Sequence, residues 1–284
     1  MADTNPLIIA HRGDSAHAPE NTIAAFRKAI ESGADGVEFD VRLANDGVPV
    51  IIHDATLART AGINKRVADM TADRLANVDV GSWFNAAYSS QARPEFAAEG
   101  VPSLRSVLRL LETIKGPIYV ELKCETEDEV SPLVDAVCRD IAASTLQDKI
   151  IVASFRLGVL PRMRTLMPTV RTAALFAPKI MRLLRKEKYL IDIAREFGAD
   201  HLSLHKSLVS GKLARKAEKY GMPVTVWTVN AARWVPRATK QGLFAIITND
   251  PTTMLVSRES MRRRQALEAR RVQRASHAGS RPVE

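Results

Sequence analysis

The sequence predicts an α/β protein: a TIM (β/α)8 barrel with an insertion after a hairpin on its second strand. Three observations carry that reading. Eight short apolar runs, rich in Val and Ile, alternate with amphipathic stretches. Parallel strands need that alternation, because each must be followed by a crossover. The chain has 284 residues, 46% of them hydrophobic, which suits one barrel of about 250 residues. Chemically active side chains stand at or just past the ends of several of the runs, where barrels gather their sites.

The first strand is expected over 7–11, an apolar run ending in His11, with Arg12 and Gly13 next. A helix over 20–32 follows, with Ile23, Phe26 and Ile30 on one face and Gly33 as its stop. The second strand, 36–41, carries Glu38 and Asp40. Asn45-Asp46-Gly47 is a hairpin signal. The segment 48–53 is therefore expected to return antiparallel along the second strand, bringing His53 to the level of Glu38 and Asp40.

Residues 55–100 show no clear strand–helix alternation and form the insertion. Long insertions are commonly lids or binding loops, and Trp83, Phe84 and Tyr88 supply apolar area for one. A small subdomain that only covers the barrel rim fits the same residues.

Ser103 caps a helix over 103–115, in which Leu104, Val107, Leu108, Leu111 and Ile114 keep helical spacing until Gly116-Pro117 stops it. Six further strands are expected at 118–122, 149–154, 170–175, 200–204, 223–228 and 244–248. Helices are expected at 127–144, 181–197, 211–220 and 231–241. The chain thus divides into a barrel domain, 1–257, and a basic C-terminal tail, 258–284.

The net charge of +9 is uneven: the tail holds eight Arg against three Glu, so +5 lies there and +4 on the rest. A mildly basic body is poor support for nucleic-acid binding. The tail alone could contact phosphates, as a basic non-catalytic module for nucleic acid or an anionic membrane would. Its scarcity of large apolar residues makes stable membrane insertion unexpected. No run of about 18 apolar residues occurs, and the first residues lack a basic segment followed by a long apolar one. Cys124 and Cys138 match no metal or redox spacing. Together these features predict a cytoplasmic chain with reduced thiols.

The polar residues at the strand ends define a chemistry. Glu38 and Asp40 are two apart on a strand and point the same way. Against the apolar helices two carboxylates would be costly, so they are expected inside the barrel near its mouth. Glu121 and Lys123 repeat the pattern. Three clustered carboxylates repel one another unless a cation neutralises them. An all-oxygen donor set suits Mg²⁺ or Ca²⁺. His11 and His53 are the side chains that can exchange protons near neutral pH. Cleaving a phosphodiester needs a base for the attacking hydroxyl and an acid for the leaving oxygen. Arg12 and Lys123 can hold the nonbridging oxygens. Trp227 ends a strand, where its indole can wall off a glycerol or alcohol moiety.

These segments resemble the glycerophosphodiester phosphodiesterase family. The resemblance rests on His-Arg-Gly at 11–13, Pro-Glu-Asn-Thr at 19–22, Glu-x-Asp at 38–40, His-Asp at 53–54, Glu-Leu-Lys at 121–123 and Trp-Thr-Val-Asn at 227–230, over roughly 7–255 and in the family's order. It implies a TIM barrel, with His11 and His53 as the acid/base pair and Glu38, Asp40 and Glu121 as ligands of a divalent cation. Arg12 and Lys123 would contact phosphate. The implied reaction turns a small glycerophosphodiester into sn-glycerol 3-phosphate and an alcohol. A glycerol hydroxyl attacks phosphorus, and water opens the cyclic intermediate. A lysophospholipase D-type enzyme would run the same chemistry, with an apolar groove drawn from Trp83, Phe84, Tyr88 and Phe96. The chain departs from the family at Thr248-Asn249-Asp250-Pro251, where Asn249 takes the place of an Asp. The role of that position stays open.

Overall fold

The computed structural model describes residues 5–182 and 188–278. Nine strands form one sheet: β1 (Leu7–His11), β2 (Gly36–Leu43), β3 (Pro49–Ile51), β4 (Ile118–Leu122), β5 (Ile150–Ser154), β6 (Arg171–Phe176), β7 (His201–His205), β8 (Val224–Trp227) and β9 (Ala245–Thr248). Eight of them pair in parallel in the order β1-β9-β8-β7-β6-β5-β4-β2, and β1 against β2 closes the barrel. The α/β expectation is met as a TIM barrel.

β3 explains the hairpin. β1 stops pairing with β2 at His11↔Glu38, so the upper edge of β2 would be left bare. β3 folds back to fill it, with Val41↔Ile51 in antiparallel register, and Ile52 N donates to Asp40 O at 3.0 Å. His53 therefore follows directly on a segment locked to Asp40.

Strand alternation separates two apolar regions. Val37, Phe39 and Val41 on β2, and Ile118, Val120 and Leu122 on β4, face outward into the large core shared with the helices. Inward residues such as Ile9, Tyr119, Ile151, Leu175 and Ile247 fill the barrel interior.

The helices are α1 (Ile23–Glu31), α2 (Ala58–Ala61), α3 (Ala72–Ala76), α4 (Ser82–Ala87), α5 (Leu104–Leu110), α6 (Val130–Ala142), α7 (Val159–Leu166), α8 (Lys188–Glu196), α9 (Gly211–Lys219), α10 (Trp234–Gln241) and α11 (Pro251–Ala278). Thr22 Oγ1 caps α1 by accepting from Ala25 N. That fixes the helix start after, rather than at, residue 20. α7 has no counterpart in the sequence expectations. Its Pro161 and arginines mask a short face of Val159, Leu160 and Met163. A proline in the first turn costs little, because that N–H has no intrahelical partner. The helix expected over 181–197 is α8 from residue 188; residues 183–187 lie outside the described residues.

The insertion is a packed unit. Leu57, Val67, Leu75, Val80 and Val101 form one small core with Val50 and Ile52 of the hairpin. Phe84 and Phe96 form another with Ala18 and Ala25. Both phenylalanines are buried, Phe84 at 0% and Phe96 at 2% exposure. They hold the insertion onto α1 and therefore do not line an acyl groove.

α11 runs through the boundary expected at 257/258. Arg258 is buried and ion-paired with Asp35, so the first residue assigned to the tail is tied to the barrel. Residues 279–284, with Arg281, lie outside the described residues.

Candidate active site

Register assembles the acidic group. Glu38 and Asp40 occupy alternate positions on β2, and Asp40 stands opposite Glu121 on β4. All three are buried, and one carboxylate oxygen from each lies within 4.8 Å of the others. Lys123, just past β4, reaches back to them: Nζ is 2.9 Å from Asp40 Oδ1 and 2.5 Å from Glu121 Oε1.

The loop after β1 supplies the second cation. Arg12 Nε lies 3.0 Å from Asp40 Oδ2, and Arg12 Nη1 donates to Glu20 Oε1 at 2.8 Å. Asn21 Nδ2 donates to Asp40 Oδ2 at 2.9 Å. Arg12 (φ 56°) and Asn21 (φ 60°) both adopt left-handed backbone, a strain that clusters at functional sites. Gly13 follows at φ 79°, where a Cβ would stand 2.6 Å from the Ala25 carbonyl carbon. Only glycine fits there.

Each histidine is held through Nδ1. His11 Nδ1 lies 2.7 Å from Asn249 Oδ1, while its Nε2 is 3.8 Å from Glu38 Oε2. Asn249 N in turn donates to Asn230 Oδ1 at 2.9 Å. His53 Nδ1 lies 2.6 Å from Asp54 Oδ1. Arg59 Nε donates to Asp54 Oδ2 at 2.6 Å, and Arg59 Nη2 to Glu20 Oε1 at 2.7 Å. Arg42 Nε donates to the His53 carbonyl at 2.8 Å. The imidazole is thus fixed at ring and backbone.

The electrostatics are those of a site with more acid than base. Burial favours protonation of Asp40, but Lys123 and Arg12 overcome it and hold its pKa far below the usual carboxylate range. Burial, followed by the Asp40 and Glu121 charges, pushes Glu38 well above its ordinary value. Burial raises Glu121 to about 7 against the pull of Lys123. Burial and Arg12 lower His11 to about 4. Burial is also the largest cause of the downward shift of His53. Three buried carboxylates are thus served by two cations, and two carboxylates are driven toward their neutral forms. The oxygens of Glu38, Asp40 and Glu121 fit a hard divalent cation, whose charge would let all three ionise.

His11, Arg12, Glu38, His53, Glu121 and Lys123 line a cavity of about 220 Å³ at the carboxyl ends of the strands. Tyr119, Ala153, Phe155, Leu175, Trp227 and Ile247 line it as well. Trp227 packs edge-to-face on Phe155, with centroids 5.5 Å apart, and on His205 at 5.3 Å. A second recess of similar volume, beside Arg42, Arg66 and Leu133, shares only Lys123 with this cavity and none of the grouped carboxylates or imidazoles.

All eight residues singled out from the sequence therefore converge. His205 packs on Trp227 without lining the cavity, and His17 pairs with Asp14 in its loop. The sequence did not point to Arg59 or Phe155; it showed Glu20 only as part of Pro-Glu-Asn-Thr at 19–22, and it left Asn249 without a role. Asp54, Glu20, Asn21 and Asn230 are supporting residues that lie within the motifs.

Residues 11–253 match the model of the glycerophosphoryl diester phosphodiesterase family. A glycerophosphodiester phosphodiesterase of Caldanaerobacter subterraneus is 31% identical over 254 residues, covering 88% of this chain and 96% of that one. Glycerophosphodiester phosphodiesterase 1 of Rattus norvegicus is 30% identical over 246 residues, covering 78% and 71%. Among solved structures, a phosphodiesterase of Oleispira antarctica in complex with the product sn-glycerol-3-phosphate superposes with a TM-score of 0.77. It is 25% identical, covering 89% of this chain and 96% of that one.

Proposed function

The chain belongs to the glycerophosphoryl diester phosphodiesterase family, and on that premise we propose how its own residues cleave a glycerophosphodiester to sn-glycerol 3-phosphate and an alcohol. The observation that carries the reading is the convergence of His11, His53, Glu38, Glu121, Arg12 and Lys123 on one cavity, with Asp40 buried behind them.

In this reading Arg12 and Lys123 bind the nonbridging phosphate oxygens and orient the diester. One imidazole takes the proton of the neighbouring glycerol hydroxyl as it attacks phosphorus, and the other protonates the departing alkoxide. In the second half the roles exchange, as water adds to phosphorus and opens the cyclic diester. Asn249 and Asp54 act as positioning residues that keep both rings turned to the cavity. Glu38, Asp40 and Glu121 would hold a divalent cation, Mg²⁺ or Ca²⁺, which supplies Lewis-acid stabilisation of negative charge on phosphate when bound. Trp227 and Phe155 wall off the organic part of the substrate.

The cavity, at about 220 Å³, is smaller than the roughly 300–1,000 Å³ typical of drug-sized ligands. With Phe84 and Phe96 buried in the insertion, this supports small water-soluble diesters over lysolipids. Among the described residues no helix is long and apolar enough to cross a membrane. We place the enzyme in the cytoplasm on the strength of its two free thiols, Cys124 and Cys138. The barrel domain is the catalytic unit, and the Arg-rich tail is an appendage without a part in turnover.

A coupled assay for glycerol 3-phosphate release, run with and without a chelator, tests the proposal. Glycerophosphocholine should be turned over and lysophosphatidylcholine barely so, with activity lost on chelation and restored by Mg²⁺ or Ca²⁺. Chelator-resistant turnover would refute the cation's part, and preference for the lysolipid would refute the substrate class.

A further inference from the structure

The cavity contains polar atoms that nothing described so far uses. Ser203 sits in the middle of β7, with Leu202 and Leu204 on either side packed into the outer core. Its own side chain therefore points into the barrel, where it lines the cavity. The residue is 0% exposed, yet among the described residues its Oγ has no hydrogen-bond partner. The neighbouring hydroxyl does not serve it: Thr225, its register partner on β8, bonds the Tyr119 hydroxyl at 2.7 Å instead. Trp227 Nε1, on the same cavity wall, is likewise buried and unpartnered.

A buried hydroxyl or indole N–H without a partner destabilises the fold. These two line one cavity together with Ala153, Leu175 and Ile247, and remain open to a ligand's polar groups. In the barrel order β7 stands across from β2, which carries Glu38. A ligand that satisfies both sides of the barrel carries phosphate at one and an uncharged hydroxyl at the other, joined by a short apolar stem.

We propose that Ser203, with the Trp227 indole N–H in the same cavity, is a specificity-determining residue that reads the free primary hydroxyl of the glycerol moiety. The inference rests on the glycerophosphodiester reading above and deepens it. Phosphate is held by Arg12 and Lys123, the secondary hydroxyl is the nucleophile, and the primary hydroxyl is the remaining group that distinguishes glycerol from a simpler diol. Ser203 Oγ can both donate to that hydroxyl and accept from it. A site built around such a bond rejects the analogue that lacks it, because its own polar atoms are then left unpaired.

The test compares glycerophosphocholine with its deoxy analogue, the phosphocholine ester of propane-1,2-diol, in which the primary hydroxyl is replaced by hydrogen. Choline has no second hydroxyl, so any discrimination arises on the glycerol side, and choline release reports both reactions. The wild type should favour glycerophosphocholine in kcat/KM by roughly 10- to 100-fold. In Ser203→Ala that ratio should fall toward one, and Ser203→Cys should fall the same way. The melting temperature of Ser203→Ala should match or exceed that of the wild type, since an unpaired buried hydroxyl has been removed. A ratio unchanged by Ser203→Ala would overturn the proposal, as would equal losses on both diesters, which would mark a packing role. A folded wild type that cleaves neither diester would instead sink the substrate reading itself. A wild type that cleaves both equally well would sink only the assignment of Ser203.

Discussion

Arg258→Ala should destabilise the barrel without touching its chemistry. Arg258 projects from α11 to the amino-terminal end of the strands, away from the cavity. Its two Nη atoms donate to the Asp35 carboxylate, Nη2 to Oδ1 at 3.0 Å, and Nη1 also donates to the Pro6 carbonyl at 3.3 Å. Asp35 Oδ2 accepts in addition from Ile8 N at 2.6 Å, so one carboxylate joins α11 to β1. Breaking a fully buried ion pair costs about 3–5 kcal/mol. Asp35 is 23% exposed, so water recovers part of that, and the expected loss is about 2–3 kcal/mol. For a chain of this size each kcal/mol moves the melting temperature by about 2–4 °C. A drop of roughly 5–10 °C in a thermal melt followed by circular dichroism is expected. At 25 °C the folded variant should keep wild-type kcat. Truncation after residue 257 should reproduce the loss, whereas truncation after residue 264 keeps the clamp and should not. A melting temperature within about 1 °C of wild type for Arg258→Ala would refute the clamp.

The other predictions concern the site and pH. His11→Ala and His53→Ala should each lower kcat by about 10²–10⁴-fold while near-UV circular dichroism stays native; wild-type rates in either would remove that imidazole from the mechanism. Glu38→Gln and Asp40→Asn should weaken divalent-ion binding by isothermal titration calorimetry and lower activity together, and a separation of the two effects would dissociate the cation from catalysis. Burial, aided by the Arg171 charge, lowers buried His201 to about 4. The unfolded chain therefore binds this proton first, and stability present above about pH 6.5 should fall as pH drops toward 4, by roughly 3 kcal/mol in all. His201→Gln should flatten that slope in urea titrations; an unaltered slope would mean that another group carries it.

How much of this was legible in the sequence depended on how far each signal reaches along the chain. Strands announce themselves locally, so the eight barrel strands and the β3 return, marked by Asn45-Asp46-Gly47, were readable to within a residue or two. The acidic cluster was readable because a period of two puts Glu38 and Asp40 on one face whatever the register. α7 was hidden by Pro161, whose position relative to the helix start decides whether it breaks or begins a helix. The burial of Phe84 and Phe96 was not legible, since their partners Ala18 and Ala25 lie across the insertion and carry no signal of their own. Nor was the Arg258–Asp35 pair, whose members are 223 residues apart. The tail's charge pattern drew a boundary where the helix has none.

The supporting residues show why the motifs extend beyond the groups that do chemistry. Asp40 is the one carboxylate of the three that stays firmly ionised, and it does so because Lys123, Arg12 and the Asn21 amide all address it. Two of those come from a loop in which Arg12 and Asn21 both take left-handed backbone, a conformation that costs on the order of 1 kcal/mol or more per residue. An unstrained turn would carry Arg12 and Asn21 away from Asp40, leaving its buried charge to Lys123 alone. Glu20, between them in space, ties Arg12 to Arg59 and through it to Asp54 and His53. The strained loop therefore fixes two things at once: the charge state of the carboxylate floor and the placement of an imidazole contributed by a different strand. That shared dependence gives Pro19-Glu20-Asn21-Thr22 a structural part in the site.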